Sequence, residues 1–375
     1  MPKRKGFLYE KMLDRDYIQK TILSAAQKKK KRWDVKLVLN NLDYYTDEMY
    51  RIIADRNYTP TTPKEKTIYD PSSGKHRIIA VQPFFPDGIM QQLIVQTFQP
   101  VIMRGMYVHS YASIPGRGTH AALRYAKKMV QQQKCKYAAE LDVKKFYPTI
   151  PQNSLMQALE RKIKDKQFLQ LIAVTICCFP SGLRYAVDND LSPCEIVGDT
   201  IGLHIGFYID QWLANFYLEA VDRLIIQQPG IRGYYRYMDN MQLFGNRKRQ
   251  LHKAVRVIER SLTQLGLQLK SNWQVFPLNN RMLLTVGYRV GRTHVLLRKR
   301  NFLRLTRQCR RAIKRKSCGG GVRPQMAMSM MSRIGQLQHC DAWLIYQKYI
   351  NQVDVNYLKR IVGSSAKKSN NAHNK

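Results

Sequence analysis

Tyr137-Ala138-Ala139-Glu140-Leu141-Asp142-Val143 is a short aromatic and aliphatic run that reads as a buried strand, and it carries a carboxylate, Asp142, to its C-terminal end. Lys144-Lys145-Phe146-Tyr147-Pro148 follows directly. Further along, Gly233-Tyr234-Tyr235-Arg236-Tyr237-Met238-Asp239-Asn240-Met241-Gln242-Leu243-Phe244-Gly245 reads as two apolar arms around Asp239-Asn240, a hairpin with the polar pair at its tip. If that tip lies beside Asp142, two carboxylates and one amide oxygen converge at a sheet surface. Hard oxygen ligands suit Mg²⁺, and two such ions about 3.5–4 Å apart would clamp the attacking and leaving oxygens of an in-line phosphoryl transfer. Either aspartate alone says less, because an Asp at a strand end is commonly a turn or cap residue.

The composition narrows what such a site meets. The 375 residues carry 63 Lys+Arg against 26 Asp+Glu, a formal charge of +37. That self-repulsion calls for a polyanion, either nucleic acid or an anionic membrane. The longest apolar run, Phe168 to Phe179, contains Gln170 and is too short to cross a bilayer. The start of the chain is charged and lacks the apolar core of a signal peptide. No membrane partner and a cytoplasmic location are therefore expected. Seven cysteines without C-x2-C spacing argue against zinc and fit a reducing compartment. A hydrophobic content of 44% supports a sizeable core.

The first 60 residues read as helical, with Ile18, Ile22 and Ala25 at helix spacing. The block Lys28-Lys29-Lys30-Lys31-Arg32 is either a solvated helix face or a phosphate contact. Tyr58 to Pro63 breaks the pattern, and a strand pair follows, Lys66–Tyr69 and Arg77–Val81, joined by a turn from Asp70 to Gly74. Residues 87–105 read as a buried helix interrupted near Pro100. The Gly-rich loop Ile114 to His120 lacks the Lys-Ser/Thr pair of a P-loop and opens a helix, Ala121 to Gln133. Arg298 to Lys316 is a basic amphipathic helix with Phe302, Leu303, Leu305 and Ile313 on one face. Gly319-Gly320-Gly321 separates it from a last helical region, Met326 to Val362, and the tail from Gly363 is polar and expected to be disordered.

Taken in order, five motifs resemble a reverse transcriptase palm. They are Leu141-Asp142-Val143-Lys144-Lys145-Phe146-Tyr147-Pro148, then Leu203-His204-Ile205-Gly206 leading into Asp210-Gln211-Trp212-Leu213-Ala214-Asn215, then Tyr237-Met238-Asp239-Asn240, then Leu265-Gly266-Leu267-Gln268-Leu269-Lys270, then Val286-Gly287-Tyr288. The resemblance runs from about Arg77 to Arg298. It is closest to bacterial and phage enzymes of the group II intron, retron and diversity-generating retroelement kind. Lys5-Gly6-Phe7-Leu8-Tyr9-Glu10-Lys11-Met12, the surroundings of Ile205 and the stretch Asn272 to Phe276 look most like the diversity-generating type.

The resemblance implies an α+β right-hand polymerase, with fingers, a palm built on an antiparallel sheet, and a helical thumb. Its expected parts are an N-terminal helical extension (1–60), fingers with part of the palm (61–136), palm (137–295), thumb (296–362) and tail (363–375). Asp142 and Asp239 match the metal-binding aspartates, joined by Asn240 and the main chain of Val143, with Mg²⁺ or Mn²⁺ as cofactor. Lys270 is a candidate proton donor to pyrophosphate, though a solvated lysine is the more ordinary reading. Lys75 and Arg77 match the residues that hold the incoming triphosphate. Tyr147 matches the aromatic gate beneath the sugar, and Ile205, Gly206 and Gln211 complete the nucleotide site. Val286, Gly287 and Tyr288 match the primer grip. Arg298, Lys299, Arg300, Arg304, Arg307, Arg310 and Arg311 would hold template RNA, primer and cDNA through phosphates. A small basic accessory protein is the further partner implied.

The sequence departs from the family in several places. Asn240 replaces the usual second aspartate. Ile205 stands where most relatives carry Gln, as in the error-prone diversity-generating enzymes. Asp210 replaces Ser, Asp87-Gly88 replaces Asp-Arg, and residues 180–200 look like an inserted surface loop. Three readings stay open: an active, error-prone polymerase with altered metal dependence, a catalytically impaired palm kept for binding, and a retron or phage-defence enzyme.

Overall fold

In the computed structural model, which describes residues 3–70 and 74–371, the expected strand pair is present as β1 (Lys64–Asp70) and β2 (Lys75–Val81). They run antiparallel from Lys64 opposite Val81 to Asp70 opposite Lys75. The two arms around Asp239 also form. A four-stranded sheet of order β4-β5-β3-β6 contains β3 (Tyr137–Asp142), β4 (Ile231–Tyr237), β5 (Asn240–Gly245) and β6 (Gln274–Pro277). Lys136 N–H donates to Gly245 O and Val143 N–H to Asp239 O, so β3 and β5 are antiparallel. Consecutive positions of β4 and β5 are buried, among them Tyr234, Tyr235, Met241, Leu243 and Phe244, which means both sheet faces are covered.

The chain divides into two compact units. The first takes the residues up to Gly118, Ala139–Leu243 and Arg249–Gln274; the second takes Thr119–Ala138, Phe244–Lys248 and the chain from Val275 on. Residues 119–136, expected with the fingers and part of the palm, group with the C-terminal part. Arg292 helps hold them there by donating to the carbonyls of Val130 and Cys135 at 2.7 and 2.8 Å.

Within the first unit, the N-terminal helices are Arg15–Ala26, Trp33–Asn40 and Leu42–Ala54, with Ile18 and Ile22 fully buried. The basic block 28–32 is an exposed turn between two of these helices, not a helix face. The helix Ile89–Met103 passes through Pro100 without the expected interruption. Burial of Phe98 and Ile102 on either side offsets the roughly 3 kcal/mol that an internal proline costs. Residues 180–200 are not a surface loop. They form the helices Gly182–Asp188 and Pro193–Val197, the second opened by a Ser192–Glu195 capping box, and they bury Leu183, Ala186, Ile196 and Val197.

The second unit holds an antiparallel meander, β7 (Leu283–Thr285), β8 (Tyr288–Val290) and β9 (Val295–Leu297), with the helices Thr119–Gln131, Lys299–Ser317 and Pro324–Leu337. The basic helix buries Leu305, Thr306, Cys309 and Ala312, which line one face at helix spacing. Phe302, Leu303 and Ile313, expected on that face, are only half-buried. The helix Val355–Asn371 runs on through Gly363 into the segment expected to be disordered. All seven cysteines are free thiols. Among the described residues, no helix is long and apolar enough to cross a membrane.

Candidate active site

Asp142 ends β3 and Asp239 sits in the turn between β4 and β5, so strand pairing brings the two carboxylates together as the sequence predicts. The pair is electrostatically uneasy. Burial, and next the charge of Asp142, push the Asp239 carboxyl up to about 6. Asp142 Oδ1 is buried with no hydrogen-bond partner. Its other oxygen, Oδ2, lies 2.6 Å from Lys270 Nζ, and Lys270 N–H donates to Asp142 O at 2.9 Å. Asn240 is exposed, and its amide donates to Asp239 Oδ1 at 3.2 Å. Val143 is fully buried, and its N–H reaches Asp239 O at 3.3 Å.

These residues fit a divalent cation. An orphaned carboxylate oxygen beside a second, like-charged carboxylate is the state that such an ion relieves. Asn240 limits the acid count: among the described residues no three His, Cys, Asp or Glu side chains gather into a metal-binding group.

Tyr147 lies half-buried in the short helix Phe146–Thr149, and its hydroxyl touches Met238 Sδ at 3.6 Å. The gate candidate and the Asp239 turn therefore pack together. Ile205 O accepts from Ala80 N–H at 2.8 Å, which ties the Ile205-Gly206 loop to β2. Gly206 has φ +127°, and a Cβ there would stand 2.3 Å from Ala80 O. Only glycine lets the two segments approach this closely. Gln211 lies in the first turn of the helix Tyr208–Tyr217 and is half-exposed.

Arg77 is exposed on β2 and paired with Asp70, Nε to Oδ2 at 3.0 Å. Lys75 starts β2, but its side chain lies outside the described residues.

In the second unit, Val286 and Gly287 form the β7–β8 turn with φ +38° and +90°. Tyr288 is buried, and its hydroxyl donates to Gln336 O at 3.0 Å, so this member of the primer-grip motif serves packing. Arg298, Lys299, Arg300, Arg304 and Arg307 line a cleft of about 480 Å³ with Leu303. Arg310 instead stacks over Tyr349 at 5.6 Å, and Arg311 is exposed on the same helix.

One pair escaped the sequence reading. Asp210, read only as a departure from Ser, is wholly buried and accepts His204 N–H at 2.5 Å, with His204 Nδ1 at 3.5 Å. Burial pushes its carboxyl up. The spacing of His204 and Asp210 across the Gly206 turn is the signal that could have found it. A second buried polar group is centred on Arg236.

Residues 62–280, more than half the chain, match the family described as reverse transcriptase (RNA-dependent DNA polymerase). The chain belongs to the reverse transcriptase family, and its fold is the α+β polymerase fold expected. It is 27% identical over 169 residues to an uncharacterized 91 kDa protein in the cob intron of Schizosaccharomyces pombe, covering 44% of this chain and 19% of that protein. It is 24% identical over 271 residues to protein YkfC of Escherichia coli, covering 65% of this chain and 69% of YkfC. The chain thus spans about a fifth of the first relative's length. A solved telomerase from Candida albicans, in complex with the TWJ fragment of telomeric RNA, aligns over 82% of this chain and 56% of its own at 12% identity and a TM-score of 0.45.

Proposed function

We propose that this chain is an RNA-directed DNA polymerase that extends a primer on an RNA template, of the error-prone diversity-generating kind. The observation that carries the reading is the orphaned Asp142 Oδ1 beside Asp239 at the junction of β3 and the β4–β5 turn. Asp142, Asp239, Asn240 and the main chain of Val143 would hold Mg²⁺ or Mn²⁺, which supplies charge neutralisation at the transferring phosphoryl group.

The chain's own residues do the rest. Lys270, whose ammonium meets the same carboxylate, would give a proton to the departing pyrophosphate oxygen. Tyr147, braced on Met238, blocks a 2′-hydroxyl. Arg77 exchanges Asp70 for the triphosphate, and Lys75 joins it. Ile205 offers the nascent base pair a surface that makes no hydrogen bond, which supports the error-prone reading. Val286 and Gly287 would brace the primer, and the arginines of Lys299–Ser317 the duplex phosphates. Template RNA, primer and cDNA are the proposed partners, with a small basic accessory protein.

Primer extension on an RNA template with Mg²⁺ or Mn²⁺ tests this. The chain as written should extend the primer and Asp142→Ala should not. Extension by Asn240→Asp alone would overturn the reading in favour of an impaired palm that keeps its grip on nucleic acid.

A further inference from the structure

Arg236 is a fully buried cation one strand position before Tyr237-Met238-Asp239. A guanidinium has five N–H donors, and here each finds an acceptor. Nε donates to Asp222 Oδ1 at 2.8 Å, and Nη2 to Asp222 Oδ2 at 2.7 Å and Asn215 O at 3.1 Å. Nη1 donates to Asn215 Oδ1 at 3.0 Å and to Met238 O at 2.9 Å. Tyr234 completes the group, its hydroxyl donating to Asp222 Oδ1 at 2.6 Å. Asn215 Nδ2 in turn reaches the carbonyls of Ala112 and Gln211 at 2.9 and 3.2 Å.

A buried ion pair is a poor way to gain stability. Apolar residues of the same volume commonly do as well or better, because two charges must first be stripped of water. What apolar residues cannot do is direct a bond at one carbonyl. The carbonyl in question belongs to Met238, which has φ +54°, a left-handed conformation that a non-glycine residue holds only at an energetic cost. Asp239 is the next residue.

We propose that Arg236 is a positioning residue. Clamped by Asp222 and Asn215, it holds the left-handed Met238 turn and so aims Asp239 at Asp142, forming the cation site before any substrate arrives. The same guanidinium couples that turn to the helix Tyr208–Tyr217, which carries Gln211. This rests on the reading that Asp142 and Asp239 hold a divalent ion.

The test uses the full chain without nucleic acid. Mn²⁺ binding is read by electron paramagnetic resonance and folding by thermal melting. Arg236→Lys keeps the buried charge but cannot fork between Asp222, Asn215 and Met238. Arg236→Met combined with Asp222→Leu and Tyr234→Phe removes the pair and refills its volume with apolar groups. Asp142→Ala sets the floor for loss of the site. We expect at least one of the two Arg236 variants to melt within a few degrees of the parent and to bind Mn²⁺ about 10–100-fold more weakly, the usual scale for a residue that orients a ligand. A folded variant whose Mn²⁺ affinity stays within about twofold of the parent overturns the proposal. Failure of both variants to fold also overturns it, because the network is then a strut. Equal Mn²⁺ binding by the parent and Asp142→Ala overturns instead the cation-site reading beneath it.

Discussion

Lys270 Nζ lies 2.6 Å from Asp142 Oδ2 while Asp142 Oδ1 faces no protein donor. One oxygen of the carboxylate is thus held by a half-exposed lysine while the other is buried without a partner. With Asn240 neutral, the site holds two acids and one ammonium, an unusually weak negative centre for gathering divalent ions.

Replacing Lys270 by methionine should separate its two effects. Removing the competing cation from Asp142 should tighten Mn²⁺ binding severalfold, while primer extension slows by about 10²-fold, the scale of a lost general acid. Unchanged affinity and unchanged rate would return Lys270 to the status of a solvated lysine.

Acidity should switch the site off. Asp239 is raised to about 6, above the roughly 4 of a free carboxylate, so the fold holds its proton more tightly than the unfolded chain does. Without metal, this group favours the fold below about pH 4, and that contribution is gone above about pH 6. Metal binding requires the ionised form. The rise in melting temperature on adding Mg²⁺ should be full at pH 8 and should shrink below pH 6. A shift independent of pH across that range would show that Asp239 is not a ligand.

Gly206→Ala adds a Cβ 2.3 Å from Ala80 O on a backbone at φ +127°. The expected loss is about 1–3 kcal/mol, visible as a lower urea midpoint. An unchanged midpoint would mean that the Ile205–Ala80 tie is dispensable.

Ile205→Gln restores a hydrogen-bonding group beside the nascent pair. Sequencing the cDNA should show misincorporation falling severalfold. An error frequency equal to the parent's would detach fidelity from this position.

Arg304→Ala and Arg307→Ala each remove a charge from the cleft of the basic helix. Each should lower the slope of log affinity against log salt by about one, with no change in sequence preference. A salt dependence identical to the parent's would place the duplex elsewhere.

The acid pair is legible in the sequence because strands declare themselves locally. Aromatic and aliphatic arms bracket Asp239-Asn240, and the run before Asp142 is too apolar to be a loop. The fingers hairpin is legible for the same reason. Residues 180–200 mislead because helices as short as Pro193–Val197 are too brief to show a period, so their burial of Ile196 and Val197 is invisible along the chain. The inward face of the basic helix is misjudged because Cys309 and Ala312 are small and carry little hydrophobic signal, yet small residues are what a close helix contact selects.

By itself, then, the sequence determined the fingers strand pair and the strands that flank the acid pair, the two carboxylates beside them, the family and the overwhelming positive charge, since these rest on local periodicity, motif order and simple counting. The tertiary structure alone decided which charges meet: Lys270 on Asp142, Asp210 under His204, Arg77 on Asp70, and Arg236 among Asp222, Asn215 and Met238. A lysine or arginine can pair with any acid within reach. Reach is set by how strands and helices pack, and no short-range pattern in the chain records it.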